Sequence, residues 1–436
     1  GAAARLHPAR VVCMLSLMYG YGLWISSFAM EALPAEAERF APQQKDVLLA
    51  SFVAIAGASQ LVGPAAGFFS DRHRSRLGRR TPLILAGAAA ALPSLLVMWH
   101  ARASAPAGRG PESPVPWAPL GLYCGGFLSA MLGLNCMYTA AAALVPDLVP
   151  AEQVGLANGA MAAMQALGAC TSFVFSALHP EVGHLYPFYV AVLCAVVPAT
   201  VLAAREGSTL AAPGTPWSWR DVASCYYLGR GPRERDFFWL FVTRVCYYCG
   251  VSVQVYLQYL LRDVCRKDGQ PLSGNEPVMY MGRLALWGQV FGALCAGPAG
   301  LLSDRVGRKP LVWAACAGIV GVYVAFMFVG DVEDEMHVGK AYGAFNGAYL
   351  AVDYALAIDT LPSKRDASRY LALWGVAGFV GTSVGPLVSA PALYFAPGPR
   401  PNPGGNSLLG YRIILVIGAC WMALSAMFLR GVRRAR

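Results

Sequence analysis

Twelve apolar runs of about twenty residues each, separated by short polar stretches, decide what this chain can become. They lie near 11–30, 47–70, 81–99, 118–146, 155–178, 185–204, 236–262, 278–303, 310–329, 339–361, 369–393 and 409–430. A helix rises ~1.5 Å per residue, so each run can cross a hydrocarbon layer of ~30 Å. That layer holds no water, so backbone N–H and C=O groups must bond within their own segment, and the runs fold as helices. A soluble protein of 436 residues could not hide a chain that is 56% hydrophobic and 13% charged. The expected fold is an all-α membrane protein with twelve transmembrane helices. Its first run leads straight into the body of the chain and reads as a retained span, not a cleaved signal.

One long internal connection, residues 205–235, is rich in Pro, Gly, Trp and Arg and divides the spans six and six. The expected organisation is therefore a six-helix bundle over 1–204, a cytoplasmic linker over 205–235 and a second six-helix bundle over 236–436. The net charge of +10 sits in short clusters between apolar runs, so nucleic acid is not an expected partner. With the amino terminus inside, inner segments carry 22 Lys and Arg and outer loops nine, while Arg244, Arg283 and Arg412 fall within spans. That excess places both termini and the linker in the cytoplasm. The outer connectors 31–46, 100–117 and 394–408 read as mobile Pro/Gly/Ala-rich caps. Most of the twelve cysteines fall inside apolar runs, with Cys265 in an outer loop, and give no disulfide framework.

Two inner loops are built alike. The first runs Gly67-Phe68-Phe69-Ser70-Asp71-Arg72 and resumes at Gly78-Arg79-Arg80; the second runs Gly300-Leu301-Leu302-Ser303-Asp304-Arg305-Val306-Gly307-Arg308-Lys309. Two copies imply a duplicated membrane domain. An acid and a proline also recur at the inner ends of span 4 (Pro146, Asp147) and span 10 (Asp359, Pro362). Glycines follow in span 5 (Gly155, Gly159) and span 11 (Gly375, Gly378, Gly381, Gly385), at spacings that let helices approach closely.

These loops resemble the signature of the major facilitator superfamily, Gly-x-x-x-Asp-Arg-x-Gly-Arg-Arg/Lys between the second and third spans of each half. The second copy matches without gaps, and the first carries four extra residues between Arg72 and Gly78. That longer form resembles the glycoside/sucrose branch, as does the stretch from Tyr349 and Asp353 to Leu361 and Pro362. The resemblance implies alternating access and a sugar or glycoside moved with protons. An exporter or carrier of a non-sugar metabolite, and a non-transporting receptor with this fold, remain open alternatives. It also implies a gating role for Gly67, Asp71, Arg72, Gly78, Arg79, Arg80, Gly300, Asp304, Arg305, Gly307, Arg308 and Lys309. Asp71 would dock on the start of span 11, capped by Ser368, when the inner side is shut, and Asp304 would meet the start of span 5 near Glu152. The plainer reading is that the arginines set topology and hold anionic lipid heads.

A charge at mid-bilayer costs at least ~2.5 kcal/mol on insertion scales, so ionisable residues inside spans are the first site candidates. Arg244 and Asp353 each lie eight residues from the inner end of their span, about 12 Å deep. The resemblance puts spans 1, 4, 7 and 10 around the solute path, so this pair can face it; the alternative is a structural ion pair. No histidine falls within a span, and spans 1, 2 and 4 show no mid-membrane acid. Neither a histidine relay nor a multi-carboxylate sodium site is expected, and span 4 offers Asn135 where plant sucrose carriers place a coupling acid. Tyr21, Asn135, Gln165, Gln254 and Trp374, with Tyr138 and Asn346, could stack on and hydrogen-bond a hydroxyl-rich solute, or simply pack helices. Cys246-Tyr247-Tyr248-Cys249 has metal-like spacing but lacks a second pair, and no phosphate loop is present. No cofactor, metal or catalytic residue is expected. The chain reads as a monomer in a lipid bilayer, with a small-molecule solute and protons as partners.

Overall fold

The computed structural model describes residues 6–105, 113–210, 218–227, 231, 234–362, 367–399 and 405–433. Helix α1 begins as Pro8–Met14, bends by 41° and continues as Ser16–Phe40. Then come α2 (Pro42–Arg72), α3 (Thr81–Ser104), α4 (Trp117–Leu148), α5 (Val154–Leu178) and α6 (Val182–Ala204). A short linker helix, Trp219–Ser224, precedes α7 (Arg235–Asp263), α8 (Glu276–Val306) and α9 (Arg308–Phe326). The chain ends with α10 (Val332–Asp359), α11 (Ala367–Phe395) and α12 (Leu408–Gly431).

Among the described residues, ten helices are long and apolar enough to cross a membrane, and eleven when the bent α1 is counted as one span. Helix α10 completes the expected dozen. Its 28 residues reach ~42 Å, but Glu333, Asp334 and Glu335 crowd its first turn, where acids suit the positive end of a helix. Asp331 caps that turn by accepting the Glu333 N–H at 2.8 Å.

The packing repeats with an offset of six helices. Helix α1 packs on α5 and α6 as α7 packs on α11 and α12; α3 packs on α4 and α6 as α9 packs on α10 and α12; α2 packs on α4 as α8 packs on α10. The largest cross-contacts, α2 with α11 and α5 with α8, join the sets, and the outer part of α1 also meets α7 and α8. The α8–α10 contact is made by backbones: a Cβ on Gly343 would overlap the carbonyl of Gly288 on α8, and one on Gly347 that of Gly292. Small residues of this kind replace the hydrophobic effect, which cannot drive one helix onto another in lipid.

The sets touch outside and splay inside. At the outer end of the α5–α8 contact, a Cβ on Gly282 would lie 3.0 Å from the Phe173 carbonyl. At the inner end, Gly155, Gly159, Gly297 and Gly300 face open space to 4 Å. The sets are thus apart at the end that carries the basic loops.

The outer connector 31–46, expected as a mobile cap, is a correction. It continues α1 to Phe40, and Glu31, Glu36, Lys45 and Asp46 are all 1% exposed or less. Ala32, Leu33, Ala37 and Phe40 carry the apolar spacing past the first acid, and the acids have buried partners. Glu36 accepts from Arg102 Nε at 2.6 Å and Glu31 from Ser176 Oγ at 2.5 Å. In the last outer connector, Asn406 donates to Asp46 at 2.9 Å, so that segment too is docked; residues 106–112 and 400–404 of these connectors lie outside the described ones. Cys265 is buried and donates to Glu335 at 2.5 Å, and all twelve cysteines are free.

Two glycines that face each other across α8 and α10 give opposite expectations. Gly343→Ala must push α8 and α10 apart and should lower stability by about 1–3 kcal/mol, read as an earlier thermal transition in detergent. Gly288→Ala, where the nearest atom to a new Cβ is 3.8 Å away, should melt with the native chain.

Candidate functional site

Arg244 on α7 and Asp353 on α10 meet as the sequence suggests: Arg244 Nη1 donates to Asp353 Oδ2, with side chains 8% and 1% exposed. The guanidinium also donates from Nη2 to Tyr248 Oη at 3.2 Å, one helical turn on, and lies 3.3 Å from the centre of the Trp374 ring. A cation over an indole face is attracted by the ring quadrupole, more so away from water. Arg244 Nε has no hydrogen-bond partner, leaving one donor unused.

The pair is one end of a polar seam. Residues 342, 346, 349 and 353 of α10 follow steps of four, three and four, which keeps them on one helix stripe. Tyr349 stacks on Tyr247 of α7, Tyr247 donates to Asn346 Oδ1 at 2.7 Å, and Gln254 Nε2 donates to Tyr342 Oη at 2.6 Å. Gln254 lies ten residues beyond Arg244, ~15 Å further out. There the seam borders a cavity of about 420 Å³ between the two sets of helices, lined by Met30, Phe173, Gln254, Gln289, Tyr342 and Asn346 among others.

The remaining sequence candidates fall elsewhere. Trp374 joins the Arg244 cluster and packs against Tyr354 at 5.5 Å. Tyr21 stacks on Tyr138 across α1 and α4, with ring centres 4.3 Å apart. Gln165 reaches Met18 Sδ at 3.7 Å in the α1–α5 contact. Asn135 is buried and donates to Ser59 Oγ at 3.0 Å, tying α4 to α2, so its amide is occupied by packing.

The two inner loops build the same clasp twice. In the first, Arg80 binds Asp71 at 2.5 Å, Asp147 at 2.7 Å and Ser70 Oγ at 3.2 Å. In the second, Arg308 binds Asp304 at 2.7 Å, Asp359 at 2.9 Å and Ser303 Oγ at 2.8 Å. Asp147 and Asp359, which the sequence marks only as helix ends, are thus each the third member of a clasp. Burial lowers the Arg80 guanidinium, but Asp147 and Asp71 outweigh it and leave its pKa above the ordinary value. Asp71 and Asp304 are paired within their own set in this conformation. Residues 363–366, and the side chains of 367–369, where Asp71 was expected to dock, lie outside the described residues.

The other loop residues shape these clasps. Gly78 and Gly307 have φ of +91° and +103°, which a glycine adopts without strain. Arg79 Nη2 lies 3.5 Å from Asp147, and Arg72 sits 3.6 Å over the Phe68 ring. Gly67 packs near Thr139, while Gly300 faces open space. Arg305 is exposed and Lys309 half-buried at the inner surface. The four extra residues of the first loop seat the linker. Glu206 accepts the N–H groups of Arg79, Arg80 and Thr81, the last at 2.6 Å, and Thr209 exchanges bonds with Ser75 at 3.0 and 3.1 Å.

Sequence reasoning missed an outer lock that joins the sets. Arg262 pairs with Glu38, Lys45 lies 4.0 Å from Asp263, Asn406 bonds Asp46, and Tyr259 donates to the Pro34 carbonyl at 2.8 Å. The available signal was the cluster of opposite charges at the outer ends, Glu38, Lys45 and Asp46 against Arg262 and Asp263.

The sequence profile of the Major Facilitator Superfamily matches residues 12–338. No curated protein matches the chain in sequence. Among solved structures, the nucleoside transporter NupG superposes with a TM-score of 0.71 at 11% identity, over 98% of this chain and 100% of that one. A bacterial homolog of the human lysosomal transporter Spinster, inward-facing and unoccupied, gives 0.68 at 15% identity over 99% and 98%. A D-xylose–proton symporter gives 0.67 at 14% identity over 98% of each chain. At such identities the likeness is one of fold.

Removing the second acid of each clasp should have unequal effects. Asp147→Ala removes one of the two acids held by Arg80, whose side chain is 7% exposed, and should cost about 1–3 kcal/mol. Asp359→Ala leaves Arg308 at 22% exposure and should cost about 1 kcal/mol or less. Thermal melts of the two purified variants check the order.

Proposed function

The chain belongs to the Major Facilitator Superfamily, and from that premise we propose that it transports a small hydroxylated solute, a sugar or glycoside, with protons by alternating access. The observation that carries this reading is the polar seam from Asp353 to Tyr342, whose outer part, Gln254, Tyr342 and Asn346, lines the cavity between the sets. Amides and phenols in an otherwise apolar wall suit a ring with hydroxyls on its edge and a C–H face. The likeness to a D-xylose–proton symporter supports the same reading.

In this account Gln254 bonds solute hydroxyls, Trp374 stacks on the ring, and Tyr21 and Gln165 complete the site from the first set. Arg244 and Asp353 form its charged floor. A proton on Asp353 would weaken its hold on Arg244 and free the guanidinium for solute, which links the two cargoes. Asn135 serves by holding α4 to α2. The bundles 1–204 and 236–436 rock about the cavity, joined by the linker 205–235, and the chain works as a monomer. Asp71 and Asp304 leave their own arginines for the opposite set when the inner side shuts, so the hairpins stabilise the outward-open state.

A second reading has its own observation. Met30, Phe173, Leu257, Met281, Leu284 and Phe326 make much of the cavity wall apolar, which favours a less polar metabolite.

Uptake of labelled sucrose, maltose and glucose into proteoliposomes tests the first reading. One of them should accumulate only under an inward proton gradient, and Arg244→Ala or Asp353→Ala should each abolish that flux. Full flux in either variant removes the pair from the solute path. Stabilisation in a thermal-shift screen by apolar metabolites alone would support the second reading instead.

A further inference from the structure

Glu31 is a buried acid that neither the inner clasps nor the polar seam accounts for. It lies in a π-helical turn, Phe28–Ala32, within α1, and such widened turns are rare and concentrate at functional sites. The side chain is fully buried. Its Oε2 accepts from Ser176 Oγ at 2.5 Å, and its Oε1 has no hydrogen-bond partner. That unused oxygen faces α8: a Cβ on Gly282 would come within 2.9 Å of it. Helices α1 and α5 of one set and α8 of the other therefore form the seat of this carboxyl. The seat exists only while the outer ends are together.

The surroundings offer Glu31 no charge to balance its own. From α5 come the hydroxyls of Ser172 and Ser176. From α6 the titratable group is Tyr189, whose hydroxyl is bonded to Ser27 at 2.7 Å. Beside Gly282 on α8, Arg283 is exposed and lies over the Tyr280 ring. On α7, the Gln258 amide turns to the backbone carbonyls of Met30 and Glu31, and Tyr256 and Tyr259 donate to the carbonyls of Pro386 and Pro34. Arg262 is held by Glu38 and Asp263, and Lys45 lies by Asp263. On α1 itself, Glu36 has Arg102. Among the described residues no cationic side chain bonds Glu31. A carboxylate with one hydroxyl and no cation is strongly disfavoured in such a place, whereas a neutral carboxylic acid is not.

We propose that Glu31 is a proton-binding site that is loaded from the outer solution before the outer side closes. With the outer ends apart, Gly282 is withdrawn and water reaches the carboxylate. A proton from that water binds Oε1, and the neutral acid then fits the seat, with the Ser176 hydroxyl donating to Oε2. Ionised Glu31 holds the outer side open. The proposal rests on the alternation of the two sets and on no particular solute.

Fluorescent noncanonical amino acids at positions 117 and 328, exposed outer sites on opposite sets, report the outer gap by energy transfer in the full chain without added solute. In the otherwise native chain the gap should widen as pH goes from mildly acidic to mildly alkaline. Glu31→Gln, neutral at every pH, should stay closed throughout. Gly282→Ala, whose methyl meets Oε1, should stay open even in acid. A native gap indifferent to pH overturns the proposal, as does a Glu31→Gln gap that follows pH or a Gly282→Ala chain that closes normally. No solute is present, so failure of the sugar reading would leave these outcomes unchanged.

Discussion

Lipid gives a charge no water to lean on, and the helices of this protein are arranged around that demand. Arg244 takes Asp353 as its counter-charge, Glu36 takes Arg102, and the inner arginines Arg80 and Arg308 each take two acids and a serine. Such pairs are weak contributors to stability, since desolvation consumes most of the attraction. What they supply is a defined partner. A pair between α7 and α10 or between α3 and α4 has one low-energy register, and glycine-lined backbones such as those of α8 and α10 bring helices close enough to hold it.

The sequence made the framework legible because the framework is periodic. Apolar runs, basic inner loops and a twice-used motif follow from local physics and need no knowledge of contacts. The Arg244–Asp353 pair was legible for a related reason: α7 and α10 run in opposite directions, so equal residue counts from the inner surface give equal depth. The end of α1 was not legible. An apolar window stops at Glu31, but Ser176 and Arg102, the partners that let α1 continue, lie 145 residues from Glu31 and 66 from Glu36. Asn135 and Ser59 show the same limit, because nothing local tells an amide bonded between helices from one open to a solute.

The duplication is close but not complete, and the departure has a physical reading. Both inner clasps join a serine and an acid at one helix end, an arginine at the next helix start and an acid further on. Among the described residues only the first is also gripped by the linker, through Glu206 and Thr209. The start of α3, like any helix start, leaves backbone N–H groups without helical partners, and the Glu206 carboxylate meets them. The linker is thereby anchored to the first set, and relative movement of the sets has to be absorbed further along it.

Alternation requires end states of similar free energy, because a lock worth many kcal/mol would trap one of them. The outer lock meets this requirement through its composition. Its hydrogen bonds and ion pairs are each worth about 1 kcal/mol net, so the set is strong together yet can be released in parts. On the proposed alternation, Asp71 and Asp304, half-exposed and paired here with Arg80 and Arg308, would offset that loss by exchanging those partners for contacts across the inner surface. A buried acid without a cation between α1, α5 and α8 adds a term of a different kind, since its sign depends on whether a proton is present. That makes the balance between the two states respond to the outer solution as well as to the solute.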